Sequence, residues 1–275
     1  MKDGILTGEV EEQKQNLSVD DSSNVNDAEK IFNGTSLFYS RYRPTYPHDI
    51  IDTLSEVADF SSDWTVADIG SGTGILATLF LENGNHVKCI EPNGEMREMS
   101  IRNLAGAGKV DFIEGTGESS GLPDASVDLV VCGQSFHWMD AKPAMQEFSR
   151  ILRGRKWVAL IWNDRVMEPG TFTWEYESVV RKYSSKYHST GSTVLDWKDL
   201  VTLFRENFQT FKFPNVQKLT LDAVIGRYRS ASYAITQNDP AYWKLVDDFS
   251  SIFHRYETNG SVEMVYRTVL FLGSI

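Results

Sequence analysis

The amino-acid sequence predicts an α/β fold: a mostly parallel sheet with helices on both faces and added helices forming a cap. Two observations carry this. Between about residues 50 and 162, short apolar runs of strand character alternate with amphipathic segments of helical spacing, and such alternation calls for a parallel sheet covered on both faces. The second is the stretch Val66-Ala67-Asp68-Ile69-Gly70-Ser71-Gly72-Thr73-Gly74, after which a helix-like segment, Ile75 to Leu81, begins at once. Glycines at 70, 72 and 74 open backbone angles closed to other residues and leave no Cβ between the main chain and a ligand. The stretch reads as strand, tight turn and helix, with a ligand lying against the turn.

Residues 1–29 are rich in Glu, Asp, Asn, Ser and Gln and bury too little apolar surface to offset the entropy of ordering; they are read as a flexible acidic tail. Residues 30–275 are read as one domain. Tyr39 to Pro47 holds two prolines and three tyrosines, a rigid aromatic connector, and His48 to Phe60 carries Ile50, Ile51, Leu54, Val57 and Ala58 at helical spacing. Val87 to Ile90 is the second strand, ending at Glu91-Pro92, and the next helix starts at Pro92 or Asn93 and carries Met96 and Met99. Val110 to Ile113 is the third strand, Val127 to Cys132 the fourth and Lys156 to Trp162 the fifth, with an amphipathic helix over 141–152. Beyond Asn163 the rhythm loosens. Phe172 to Tyr187 and Trp197 to Phe208 show helical spacing, Phe208 to Leu221 contains strand-like material, and Leu221 to Arg229 is helical. Asp239-Pro240 suits the cap and first position of a helix reaching Tyr256, and Val262 to Leu272 is an alternating strand. The segments 164–208 and 221–258 are read as cap elements.

Composition limits the function. About 41% of the 275 residues are apolar and the formal charge is −11, so a full core is available, while a nucleic-acid backbone or an anionic membrane is disfavoured as a non-specific partner. No apolar run reaches the roughly 18 residues of a membrane span, and the start lacks a signal-like apolar region; a cytoplasmic protein is expected. Cys89 and Cys132 lie in strand-like runs without metal-type spacing and are expected as buried thiols. No metal site is expected.

In open α/β sheets a ligand lies beyond the carboxyl ends of the strands, and an acidic residue about 20 positions past the turn accepts ribose hydroxyls. Glu91 fits that role. The dinucleotide fingerprint G-x-G-x-x-G would need a third glycine where Ile75 stands, so the turn suits a nucleoside without a pyrophosphate. A nicotinamide-dependent oxidoreductase on a related fold stays open as an alternative.

The ordered set of Val66 to Gly74, Glu91-Pro92 with Met96, and Gly115-Thr116-Gly117-Glu118 before Leu122 to Asp128 resembles class I S-adenosylmethionine-dependent methyltransferases. It is most similar to the type 11 group, which includes trans-aconitate methyltransferase-like proteins. Tyr42 to Pro47, Gln134-Ser135-Phe136-His137-Trp138 and Tyr266-Arg267-Thr268 are similar to small-molecule members. The resemblance implies a Rossmann-like seven-stranded sheet whose last strand runs antiparallel, with S-adenosylmethionine as cofactor. It implies that Asp68 and the backbone of Gly70, Ser71, Gly72 and Gly74 hold the methionine part, Glu91 with Pro92 the ribose, and Met96 one adenine face. Thr116, Gly117 and Glu118 would lie along the adenine edge, with Gln134 also in the cofactor set. Tyr42 and Arg43 are candidates for the cofactor carboxylate, a role that arginine's paired donors suit. Threonine at 116 departs from the aspartate frequent there.

Methyl transfer from a sulfonium is an in-line displacement, and alignment alone can supply on the order of 7 to 11 kcal/mol. A carboxylate acceptor needs no base; a hydroxyl or amine must lose a proton, and His137 is the best-placed base, with Trp138 beside it in the acceptor pocket. Arg227 and Arg229, beside Tyr228 and Tyr233, are candidates for an anion-binding patch on the cap. A small-molecule acceptor is the expected partner. A non-catalytic protein that keeps the cofactor pocket is the other alternative, and the oligomeric state is left open.

Overall fold

The computed structural model describes residues 36–184, 187, 197–204 and 207–275; the acidic segment 1–29 lies outside them. Helix α1 spans Ser36–Tyr42, α2 Asp49–Ala58, α3 Ile75–Glu82, α4 Gly94–Asn103 and α5 Ala141–Ile151. They alternate with β1 (Thr65–Ile69), β2 (His86–Ile90), β3 (Val110–Ile113), β4 (Val127–Gly133) and β5 (Leu152–Arg165). Then come α6 (Phe172–Tyr183), α7 (Trp197–Phe204), β6 (Phe208–Leu219), α8 (Leu221–Arg229), α9 (Tyr242–Tyr256) and β7 (Val262–Ser274). The strands form one seven-stranded sheet in the order β3-β2-β1-β4-β5-β7-β6. Pairs from β3 to β5 are parallel, while β7 is antiparallel to both β5 and β6.

Alternate residues of the central strands feed two cores. Ala67, Ile69, Val130, Cys132, Val158 and Leu160 pack with Phe148 and Ile151 of α5 and Phe204 of α7. Val66, Leu129, Val131, Ala159 and Ile161 pack with Ile50 and Leu54 of α2 and Leu76, Leu79 and Phe80 of α3. A sheet buried on both faces reads as a near-continuous apolar run, which is why β1, β4 and β5 were legible. A third core joins α6, α8 and α9 over the far ends of β6 and β7, through Tyr176, Tyr228, Phe249 and Tyr266.

Several boundaries differ from the sequence reading. β5 begins at Leu152 rather than Lys156, because an irregular stretch with Gly154 (φ 62°) and Lys156 (φ 55°) in the left-handed region shifts its register on β4. Helix α4 is capped by Asn93, whose side chain accepts from the Met96 amide at 3.0 Å. Tyr187 lies beyond α6, its ring against Tyr233, and Phe208 opens β6 instead of closing α7. Helix α9 starts at Tyr242, two residues past Pro240; the Asp239 carboxylate accepts the Ala241 amide at 2.8 Å. Cys89 and Cys132 are buried free thiols.

Candidate functional site

The site is built at the carboxyl ends of β1, β2 and β4. The turn after β1 is tied to β2 because the Gly70 and Ser71 amides both donate to the Ile90 carbonyl, at 2.8 and 3.1 Å. Gly70 (φ 68°) must be glycine twice over: besides the angle, a Cβ there would lie 2.6 Å from the Ser135 Cβ. Gly72 (φ 56°) has nothing within 4 Å of where its Cβ would stand, so bare backbone faces open space. Its amide donates to Glu91 Oε2 at 2.8 Å, and the Asn93 amide donates to Glu91 Oε1 at 2.9 Å. The acid ending β2 is thereby held against the turn.

Three chambers that share lining residues open there. The first is lined by Gly70, Gly72, Glu91, Pro92, Met96, Thr116, Gly117, Glu118, Gln134 and Trp138, with Asn93 and Met139. The second is lined by Asp68, Ser71, Gly72, Arg43 and Asn163, and the third by Arg43, His137, Trp138, Arg165, Arg227, Tyr233 and Tyr266. Tyr39 and Gln134 line all three. Gln134 does so from a left-handed backbone (φ 56°) fixed by its amide bond to the Ile161 carbonyl at 2.9 Å, a strained conformation of the kind stored at functional sites.

Two groups in the second chamber are incomplete as they stand. Asp68 is 1% exposed and neither carboxyl oxygen has a hydrogen-bond partner; the Ser71 hydroxyl is likewise orphaned. Burial, with the charge of Glu91 adding to it, pushes the Asp68 carboxyl up to about 8, while the nearby Ala77 amide pulls the other way without closing a well-aligned bond. A cationic ligand would restore the ionised form. Arg43 is half-buried, donates to Ser230 Oγ (3.0 Å) and the Ser230 carbonyl (2.8 Å), and lies over the Tyr39 ring at 4.4 Å.

Most residues anticipated from the sequence converge on these chambers, with three exceptions: Tyr42, Gly74 and Arg229. Tyr42 does not line them: its ring packs against Gly226 of α8, where no Cβ would fit. Tyr39, one turn earlier on α1, takes the inward position. Gly74 (φ 84°) is the N-cap of α3, pressed against Ser100 and Leu104, so its role is to seat α4 on the turn. Glu118 is more than a solvated charge: its carboxylate accepts the Asp140 amide at 2.8 Å while lining the first chamber. Gly117 lets Met139 lie against the backbone, since a Cβ would strike the Met139 sulfur. His137 is held neutral by burial, which lowers its pKa to about 4. Its Nδ1 is 3.5 Å from the Trp162 indole N–H, a long contact that leaves the ring without a carboxylate partner. The pair Arg227 and Arg229 divides: Arg227 is buried in the third chamber, while Arg229 lies over the Phe38 ring at 4.0 Å.

A sheet of this order with β7 reversed, a glycine turn after β1 and an acid after β2 defines a Rossmann-like nucleoside-binding protein. Residues 67–160 match the family described as a methyltransferase domain. An uncharacterized methyltransferase of Mycobacterium tuberculosis is 34% identical over 212 residues, spanning 76% of this chain and 79% of that protein. A methyltransferase-like protein of Schizosaccharomyces pombe is 24% identical over 249 residues, 88% of this chain and 94% of that one. A solved structure described as a type II methyltransferase from Anaeromyxobacter dehalogenans superposes with a TM-score of 0.61 at 18% identity, over 85% of this chain and 98% of its own, a likeness of fold. The chain belongs to the methyltransferase family. It is an enzyme whose cofactor is S-adenosylmethionine, and the nicotinamide alternative falls away.

Proposed function

We propose that the enzyme transfers a methyl group to a small-molecule acceptor held in the third chamber, between Gln134, His137 and Trp138 on one side and the cap residues Arg227 and Tyr233 on the other. The observation that carries this reading is a shared wall: Tyr39 and Gln134 line every chamber, so a ligand in the first two would lie beside whatever fills the third. Glu91, Met96 and Thr116 to Glu118 would hold the nucleoside, and Asp68, Ser71 and Arg43 the methionine part. Asp68 would then gain the cationic neighbour it lacks.

Bound there, S-adenosylmethionine supplies a sulfonium methyl group: the acceptor's lone pair bonds to the methyl carbon while the sulfur keeps the pair of the broken bond, giving the methylated acceptor and S-adenosylhomocysteine. The chain's own contribution is alignment and exclusion of water, worth on the order of 7 to 11 kcal/mol when geometry is held. In this reading His137 is a weak base at most, because desolvation lowers its pKa to about 4. That favours an acceptor already ionised, such as a carboxylate, over a hydroxyl.

Residues 30–275 act as one capped domain in this reading. Among the described residues no helix is long and apolar enough to cross a membrane, and the charge of −11 supports a cytoplasmic protein with no nucleic-acid partner. Incubation with a metabolite mixture and isotopically labelled S-adenosylmethionine, read by mass spectrometry, tests the assignment. Label is expected in a small molecule. Label entering only protein or nucleic acid would replace this reading with macromolecular methylation.

A further inference from the structure

The third chamber carries more positive charge than its acids balance. Arg227 on α8 is 4% exposed, yet its Nε reaches only the Tyr266 hydroxyl at 3.3 Å and its Nη1 only Ser230 Oγ at 3.4 Å. Both partners are neutral. Arg43 is served by Ser230 alone, through its hydroxyl and carbonyl. Arg165, at the end of β5, has Glu177 Oε2 at 3.3 Å, but Glu177 also serves Arg181 at 3.4 Å. Arg165 Nη1 is buried with no hydrogen-bond partner. Among the described residues, three guanidinium groups lining this chamber therefore share a single carboxylate, and that carboxylate is itself shared.

Buried charges persist when something compensates them. Two neighbours register the surplus. Arg43 is held below the ordinary arginine range, by burial first and by the charge of Arg227 second. Burial pushes the Tyr233 phenol up, but Arg165 and Arg227 outweigh it and bring the phenol below its ordinary value; Arg165 Nη2 lies 3.3 Å from the Tyr233 hydroxyl. A surplus of positive charge able to do this at a half-buried phenol is a site suited to an anion.

We propose that Arg165 and Arg227, with Tyr233, form a subsite that anchors the methyl acceptor by an anionic group, a carboxylate or a phosphate. The proposal rests on the methyltransferase reading of the cavity, with Arg43 engaged by the cofactor's own carboxylate. Planar guanidinium forks match carboxylate and phosphate oxygens two at a time. An anion so held has its lone pairs occupied and is a poor nucleophile. The anchored group is thus distinct from the reacting atom, which lies toward Gln134 and His137, and the acceptor carries at least two functional groups.

Calorimetric titration of the full chain saturated with S-adenosylhomocysteine tests this. The probes are succinate, glutarate and glycerol 3-phosphate, each against its neutral counterpart: succinamide, glutaramide and glycerol. At least one anion is expected to bind tenfold or more tightly than its counterpart, with the acids and the phosphate ester distinguishing the two sources of charge. Arg227→Met should erase that preference, while Arg229→Met, on the outer side of the same helix, should keep it. Equal binding of anions and counterparts, absence of anion binding, or a preference that survives Arg227→Met would overturn the subsite. A separate titration of each ligand-free protein with S-adenosylhomocysteine separates the failures: absence of binding in the natural protein strikes the cofactor reading, whereas its retention in Arg227→Met shows an intact fold. Should Arg227→Met lose it, the contrast between anions and amides in the natural protein decides.

Discussion

The Gly72 amide donates to Glu91 Oε2 at 2.8 Å, so the acid proposed to bind the ribose also fastens the turn on which the cofactor lies. Glu91→Ala removes both supports, and cofactor affinity should fall by about 1.5 to 3 kcal/mol, the range for hydrogen bonds to a charged group. Isothermal titration reads this directly. An unchanged dissociation constant would refute the role given to Glu91.

Asp68 makes the cofactor-free protein pH-sensitive. Its folded pKa, near 8 through burial and then Glu91, lies above the ordinary 3.8. Between those values the folded state keeps a proton that the unfolded state has released, so this group's contribution to stability falls as pH rises, by at most about 1.4 kcal/mol per pH unit. Asp68→Asn should flatten that slope relative to the natural protein in thermal melts from pH 5 to 8. Cofactor affinity should move the other way, rising with pH toward 8 as the proton is lost and a cation takes its place. Parallel stability profiles for the two proteins would show that Asp68 is ionised throughout.

His137, with its pKa lowered to about 4 by burial, should stay neutral across the physiological range. Its imidazole resonances should be flat from pH 5 to 8 in NMR titration, and a midpoint near 6.5 would contradict the buried placement. With an identified acceptor, His137→Gln should cost far less than the roughly 100- to 10,000-fold typical of a general acid or base.

Gly226→Ala is informative because two effects oppose each other. In a helix interior alanine ordinarily gains about 0.5 to 1 kcal/mol over glycine, but here the Cβ would collide with the Tyr42 ring. A net loss of roughly 1 to 3 kcal/mol is expected from overpacking, measured by denaturant unfolding. Cofactor affinity should drop too, since α1 carries Tyr39 and leads directly into Arg43. Stabilisation would mean that α1 is seated less tightly on α8.

The donor side was legible in the sequence because its parts are local: Asp68 and the glycines stand within one turn, and Glu91 follows at the end of the next strand. The acceptor side was legible only in part: His137, Trp138, Arg227 and Tyr233 line the third chamber as anticipated, but other members of its wall were not. Whether Tyr39 or Tyr42 faces the cavity depends on α1 packing against α8, far away in the chain, and spacing within α1 carries no trace of it. Arg165 gave no signal, since an arginine ending a strand reads as an ordinary surface charge. Arg227 and Arg229 could have been told apart: residues two apart on a helix do not share a face, so one of them had to point away from the other's pocket.

The chamber that receives the acceptor is assembled from segments around residues 39–43, 134–138, 163–165 and 227–233, most of them outside the glycine turn and its acid. On the proposed anion subsite, substitutions on the last of these segments should redirect the enzyme to a different acceptor while the donor machinery stays intact. Among relatives that keep the turn after β1 and the acid after β2, it is position 227 and its neighbours that should sort one acceptor preference from another.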